Sequence, residues 1–378
     1  MLLALNHGST GLKAASFALP PLDAQAGSGP REVGRVHVEA SHDAPPAPTN
    51  DAASLLADAA ELLADVARQL PGTPDVIAHR IVHGGDRTGP EDLTDAALAS
   101  LEALSAWAPL HQPPALALVR ATAQRWPQAR QVGVFDTTWH QSMPAIHRVL
   151  AIPYALHLRG VKRYGFHGLA FQSALRQLGT RAPELARSRV VLAHLGGGSS
   201  LCAVRDGRCV NTTMGMTPLD GIPMSTRPGS LDPGVLLHLQ RALGMAPDEV
   251  DQLLWHESGL KGLSGETGDM RQLLASDSEG ARRAIDVYVA AVAQGIAAMA
   301  ACMRGVDGLA FSGGIGAHAA EIRRRVANEL EWLGLRIDPG LNRIGAREIT
   351  ASEATVRTFA LAIDEELEVA LAAASVAS

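Results

Sequence analysis

The chain reads as an α/β protein of two domains made by internal duplication, and three observations predict it. Its 378 residues exceed what one hydrophobic core usually serves. Short apolar strand patterns alternate with longer helical ones, the order that gives helix-flanked sheets. Each half then opens on the same unit: an apolar strand, a turn rich in glycine and serine, and a second apolar strand.

In the first half that unit is residues 2–5, a turn through Asn6-His7-Gly8-Ser9-Thr10-Gly11, and residues 12–18. In the second it is residues 190–193, a turn through His194-Leu195-Gly196-Gly197-Gly198-Ser199-Ser200, and residues 201–204. Such a turn offers several backbone N–H groups to an anion, although taken singly it is equally a plain structural turn. Two at matching positions favour duplication. Residues 20–51, rich in Pro, Ala and Gly, are the least organised stretch, and only residues 33–40 alternate like an exposed strand. Helices are expected over residues 52–69 and 93–106, then over 233–243, 246–255, 281–304 and 317–333. Residues 308–312 read as a strand running into Gly313-Gly314-Ile315-Gly316, glycines that let backbone approach a ligand where a helix begins.

Composition narrows the function classes. A net charge of −6 argues against nucleic acid as the main partner, because a phosphate backbone needs a basic footprint. The run Arg323-Arg324-Arg325 is expected to be a solvated helix face. Cys202, Cys209 and Cys302 form neither a disulfide framework nor a CxxC metal site and suit a reducing cytoplasm. The apolar start, residues 1–5, is too short for a signal-peptide core. Residues 287–303 are alanine-rich, contain Gln294 and Gly295, and fall short of a bilayer span, so they read as a buried helix and no membrane is expected.

Five segments carry chemistry. Residues 214–227 (Met-Gly-Met-Thr-Pro-Leu-Asp-Gly-Ile-Pro-Met-Ser-Thr-Arg) follow no helical or strand period and end in Arg227, whose planar fork suits a carboxylate or phosphate. Arg80 closes an apolar strand just before Gly84-Gly85, and His111 stands between prolines. Asp136 ends another strand, and His167 lies between Gly165 and Gly168. Two arginines, an aspartate and two histidines at strand ends or in stiff loops suit charge stabilisation of a transferring phosphoryl group, and anion binding without chemistry nearly as well. No GxxxxGK[ST], GxSxG or HExxH occurs. His79 and His83, four apart on a strand, read as packing groups rather than zinc ligands.

Taken in order, from Asn6-His7-Gly8-Ser9 to Asp364-Glu365-Glu366-Leu367, these segments resemble those of the acetate kinase family, the short-chain carboxylate kinases. The resemblance implies two duplicated actin-like ATPase (ribonuclease H-like) domains with a nucleotide cleft between them. The first would cover residues 1–146 plus 364–378. The second, residues 147–363, would carry the nucleotide side and a homodimer interface that includes the 287–303 helix. It implies a cytoplasmic enzyme that moves phosphate from ATP to acetate with Mg²⁺ or Mn²⁺, giving acetyl phosphate and ADP. Propionate or another short acid is the alternative substrate, and a catalytically weak nucleotide- or acyl-phosphate-binding relative the alternative class.

Carried over by motif, Arg80 and Arg227 would bind the carboxylate and the transferring group, with His167 and, to a lesser degree, His111 donating to its oxygens. Asn6 and Glu365 would hold the metal, with Glu366 as the competing carboxylate, and Asp136 would orient metal waters or the phosphoryl site. Val82, Leu110, Phe166 and Pro218 would wall the substrate methyl group. Lys13, Ser9, His194, Gly196, Gly197 and Gly198 would face the phosphates, and Asp269, Met270, Arg271, Gly313, Gly314, Ile315 and Gly316 the adenosine. The chain departs from the family pattern at Gly11, Gly197, Pro228-Gly229-Ser230, Ala317-His318 and Leu169-Ala170-Phe171. Each departure removes a hydroxyl, amide or carboxylate near the donor. On that basis Gly11→Ser is expected to restore a phosphate contact.

Overall fold

The computed structural model describes residues 1–8, 11–20, 29–39 and 52–377, with Ala377 described by its backbone. The described chain forms two compact units, Met1–Gln141 with Asp364–Ser378, and Ser142–Ile363.

The first unit holds β1 (Leu2–Gly8), β2 (Gly11–Ala18), β3 (Arg31–Glu39), β4 (Val76–Ile81), β5 (Glu91–Asp92) and β6 (Arg130–Phe135) in the order β3-β2-β1-β4-β6-β5. The first three strands pair antiparallel, and β1, β4 and β6 run parallel. Leu3 and Leu5 pack into a core with Leu63, Val66 and Leu118 from the helices Ala52–Gln69 and Gln112–Arg125. Leu2 and Ala4 are equally buried, and the helix Glu365–Ala377 packs against β1, so both faces of this strand are covered.

The second unit repeats the plan. Its strands are β7 (Arg189–Leu195), β8 (Ser199–Arg205), β9 (Arg208–Thr212), β10 (Gly308–Ser312) and β11 (Arg357–Ala360), in the order β11-β10-β7-β8-β9. An antiparallel run β7-β8-β9 again joins two parallel strands through its first member. The duplicated α/β architecture is therefore present as topology. The helix Glu279–Met303 buries Ile285, Tyr288, Val292 and Ile296 in a core shared with Val191, Leu201 and Phe311. By length and composition it could cross a bilayer, and 44% of that stretch is buried here. Gly295 lets it approach β8, since a Cβ there would meet Leu201 at 2.5 Å.

The helix over residues 52–69 and the strand over 308–312 have the expected bounds. The helix expected over 93–106 is shorter, Asp95–Glu102, started by the Thr94 side chain accepting from the Ala97 N–H at 3.2 Å. The helix expected over 317–333 breaks at Ala319 (φ −88, ψ 83) into Gly313–His318 and Ala320–Glu329. Asn6 and His7 belong to β1 rather than to a turn, with Asn6 opposite Lys13. Gly11 has φ 141°, a region that disfavours a side chain, so serine there carries backbone strain as well as its hydroxyl.

One expectation fails outright. Arg323, in the run read as a solvated face, is 1% exposed, while Arg324 and Arg325 pair on the surface with Glu321 and Asp286. Consecutive helical residues point about 100° apart, so a run of three cannot share one face. His79 is a packing group as expected: it is buried, with Nε2 2.7 Å from Gln131 Oε1. The three cysteines are free thiols.

Candidate active site

The first unit gathers its polar groups where parallel strands end, the usual place for a ligand site in such sheets. Arg80 lies near the end of β4 and Asp136 directly after β6. Asn6 comes from β1, and Glu365 and Glu366 open the last helix. Arg80 is held side-on by the fully buried Asp136, Nη2 to Oδ2 at 2.7 Å, and donates Nη1 to Asn6 Oδ1 at 2.9 Å. Burial pushes the Asp136 carboxyl up, and the charge of Arg80 pulls it back. Asn6 spends both amide hydrogens on carboxylates, Glu365 Oε2 and Glu366 Oε1, each at 2.8 Å.

The two glutamates differ in what else they meet. Glu366 is 5% exposed and accepts from Arg35 Nη1 at 2.7 Å, while Arg35 Nη2 reaches Asp364 at 2.7 Å. Glu365 stands beside Arg80, Oε2 to Nη1 at 3.6 Å. Arg35 sits on an exposed alternating strand and carries no motif, so nothing in the sequence marked it. His7, next to Asn6, is pushed below its usual range by burial and by Arg80.

The other candidates of this unit are more loosely placed. Val82 is buried just past β4, Leu110 is half-buried, and His111 precedes the helix Gln112–Arg125. The buried Gln112 ties that helix start to the β4 exit, exchanging hydrogen bonds with the His83 N–H (3.1 Å) and carbonyl (2.9 Å). Lys13 is exposed on β2, and Ser9 lies outside the described residues.

In the second unit the β7–β8 turn is as tight as three glycines allow. A Cβ on Gly198 would lie 2.9 Å from Arg227 Nη2 and 3.1 Å from His167 Nε2, so any side chain there would displace the tips of both. Gly197 faces open space, and Gly196 lies against Gly314. His167 adopts a left-handed backbone, φ 59°, at the start of the helix Gly168–Arg181. Its Nδ1 lies 2.9 Å from Ser200 Oγ and its ring 4.7 Å from that of His194. A strained backbone on a polar residue marks a place held by its surroundings. His194 Nδ1 is 3.3 Å from Ser312 Oγ, which ties β7 to the start of the Gly313–His318 helix.

Arg227 is the electrostatic centre of this group. It is 8% exposed, donates Nη1 to the Pro218 carbonyl at 3.0 Å and lies over Trp255 at 5.9 Å. No carboxylate pairs with it among the described residues, and burial alone lowers its pKa to about 10. The 214–227 segment is pinned from behind, because Arg163 Nη1 donates to the carbonyls of Thr212, Thr213 and Met214. Phe166 and Pro218 are both buried. Of the trio at residues 269–271, Met270 is buried in the hydrophobic core. Asp269 and Arg271 bind each other at a helix start, and Arg271 is 91% exposed. Gly313, at φ 79°, has its Cβ position 2.5 Å from the Leu195 carbonyl, and Ile315 is half-buried.

Residues 2–371 match the Acetokinase family. The chain is 43% identical to the acetate kinase of Nitrobacter hamburgensis over 303 residues, 80% of this chain and 75% of that protein. It is 38% identical to the acetate kinase of Clostridium botulinum over 305 residues, 78% of this chain and 76% of that one. The structure superposes on a propionate kinase from Francisella tularensis with a TM-score of 0.82, 31% identity and 98% coverage of both chains. Against the acetate kinase of Porphyromonas gingivalis the TM-score is 0.79, with 30% identity over 98% of this chain and 97% of that one. Fold and site define a phosphotransferase of the kinase type. The chain belongs to the acetokinase family.

Proposed function

We propose that this protein catalyses reversible, Mg²⁺-dependent phosphoryl transfer from ATP to acetate, giving acetyl phosphate and ADP. The observation that carries the reading is Arg227, a buried cation with no carboxylate partner among the described residues, beside His167 and the glycine turn. A buried charge left unpaired is costly, and an anion arriving there removes the cost.

Acetate is ionised at neutral pH and needs no base. A carboxylate oxygen attacks the γ-phosphorus of ATP, and the bond from that phosphorus to the bridging oxygen breaks. The electron pair leaves on ADP. Arg227 and His167 supply positive charge and a hydrogen-bond donor to the transferring oxygens, and Arg80, anchored by Asp136, orients the carboxylate. Val82, Leu110, Phe166 and Pro218 wall the methyl group. His111 adds a lesser donor to the transferring oxygens; Lys13, Ser9, His194 and Gly196 to Gly198 serve the phosphates, and Asp269, Met270, Arg271 and Gly313 to Gly316 the adenosine.

Asn6 and Glu365 carry the oxygen donors that a hard divalent cation takes, so the residues present fit Mg²⁺, and Asp136, held by Arg80, would orient its waters. Glu366, already held by Arg35 and Asn6, is the weaker claimant to the metal than Glu365. When bound, the cation screens the charge of the nucleotide phosphates. Propionate is the second reading, favoured by the likeness to the Francisella enzyme.

Homodimer formation through the second unit belongs to the same reading, supported by the exposed Ile146, Leu158 and Leu243 of that unit. A cytoplasmic setting suits the three free thiols. The test is a coupled assay of ADP formation with ATP, Mg²⁺ and carboxylates of one to four carbons. Acetate should lead, and no turnover with any of them would overturn the proposal. Light scattering that gives a monomer would overturn the dimer.

A further inference from the structure

Arg323 is buried, makes no ion pair among the described residues, and spends its guanidinium on the backbone and one amide. Its Nη1 donates to the carbonyls of Gly316 at 2.9 Å and Ala317 at 2.8 Å. Its Nε donates to Asn342 Oδ1 at 2.7 Å and its Nη2 to the Asn342 carbonyl at 3.0 Å. Asn342 in turn donates Nδ2 to the Ala320 carbonyl at 2.9 Å. One side chain therefore ties together three helices, Gly313–His318, Ala320–Glu329 and Pro339–Arg343.

The first of these helices cannot hold itself. It is six residues long and contains Gly313, Gly314 and Gly316. Each glycine costs about 1 kcal/mol relative to alanine, and a single turn does not repay nucleation. Its last carbonyls have no donors further along the helix, and Arg323 supplies two of them together with a positive charge at the negative end of the dipole.

We propose that Arg323 is a positioning residue: it braces the Gly313–Gly316 segment through the carbonyls at the end of its helix and so sets the affinity for nucleotide. The proposal rests on the acetokinase reading, in which these glycines line the adenosine. Lysine could not replace it, because one point charge cannot span two carbonyls and both acceptors of Asn342.

Two measurements separate the brace from the functional reading. Hydrogen exchange on the protein without nucleotide reads the brace alone. Arg323→Lys and Asn342→Ala should each speed exchange of the 313–319 amides by about tenfold or more, the scale of one lost hydrogen bond to a charged group, and leave β7 and β8 protected. Binding of ATP should weaken by about the same factor, with the KM for acetate changed less than about twofold. Asn342→Ala keeps the buried charge and guards against a variant that fails to fold. Unchanged exchange at 313–319 in either folded variant overturns the brace. Equal shifts in the ATP and acetate constants overturn its link to nucleotide. A wild type that binds no ATP sinks the functional reading and that link together, while the exchange data still decide the brace.

Discussion

Arg80 meets Asp136 along its side rather than end-on, with Nη2 2.7 Å from Oδ2 and Nε 3.2 and 3.3 Å from the two carboxylate oxygens. The arrangement leaves Nη1 for Asn6 and for the flank of Glu365. The pair is almost wholly buried, so each charge depends on the other. Removing either one should cost about 3–5 kcal/mol, because it strands the partner. Urea unfolding of Arg80→Ala, Asp136→Ala and the double variant should show a double loss well below the sum. Additive losses would mean that the two charges are not coupled.

Arg227 has the opposite status, buried with no carboxylate partner among the described residues, so an anion should stabilise the protein through it. Phosphate should raise the melting temperature of the wild type and not that of Arg227→Ala. In turnover, Arg227→Ala should lower kcat by roughly 10³, the scale of an arginine acting on phosphoryl transfer. Arg227→Lys should recover little, since a point charge replaces a planar fork. Activity of Arg227→Ala within about tenfold of wild type would remove it from the mechanism.

The two missing donor contacts should respond differently to repair. Gly197 has no atom within 4 Å of its Cβ position and no positive φ, so Gly197→Asn adds an amide without strain. It should tighten ATP binding by up to roughly 1.5–3 kcal/mol, one hydrogen bond to a charged group. Gly11→Ser must hold φ near 141°, and a strained backbone of that kind costs about 1–3 kcal/mol, which offsets the gain. Calorimetric titration with ATP ranks the two. A tighter Gly11→Ser beside an unaffected Gly197→Asn would reverse this account.

The acceptor wall predicts a size preference. Val82 is 6% exposed at the exit of β4. One methylene in an apolar pocket is worth about 1–3 kcal/mol, so kcat/KM should favour acetate over propionate by roughly 10–200-fold. Val82→Ala should narrow that gap. Equal use of acetate and butyrate by the wild type would show that Val82 does not bound the pocket.

His79 makes stability depend on pH. Burial lowers its pKa to about 4, from 6.5 when exposed. As pH falls the unfolded chain takes up the proton first. The stabilisation is therefore complete above pH 6.5 and drains between 6.5 and 4, about 3 kcal/mol over the whole window. Unfolding midpoints at pH 7.5 and 5 (about 1.5 units on, so roughly 2 kcal/mol) should converge in His79→Leu. A wild type equally stable at both pH values would exclude a buried neutral imidazole.

The sequence by itself determined whatever rests on local pattern. The helix Ala52–Gln69 and the strand Gly308–Ser312 follow from apolar spacing and from the glycines after Ser312. The paired glycine–serine turns announced a duplication that reappears as one five-strand order in both sheets, to which the first adds β5. Even the polar residues of interest stood out singly, because arginine and histidine among prolines and glycines have no packing reason to be there. What only the tertiary structure decided is which of them share an environment. Glu365 and Glu366 are adjacent and alike in sequence, and their partners distinguish them: Arg35 from β3 reaches Glu366, while Arg80 stands beside Glu365. Arg323, Arg324 and Arg325 are chemically alike, and only the helix phase and the nearby Asn342 send one inward and two outward. Charge state and hydrogen-bond partners depend on residues distant along the chain, and no local pattern records them.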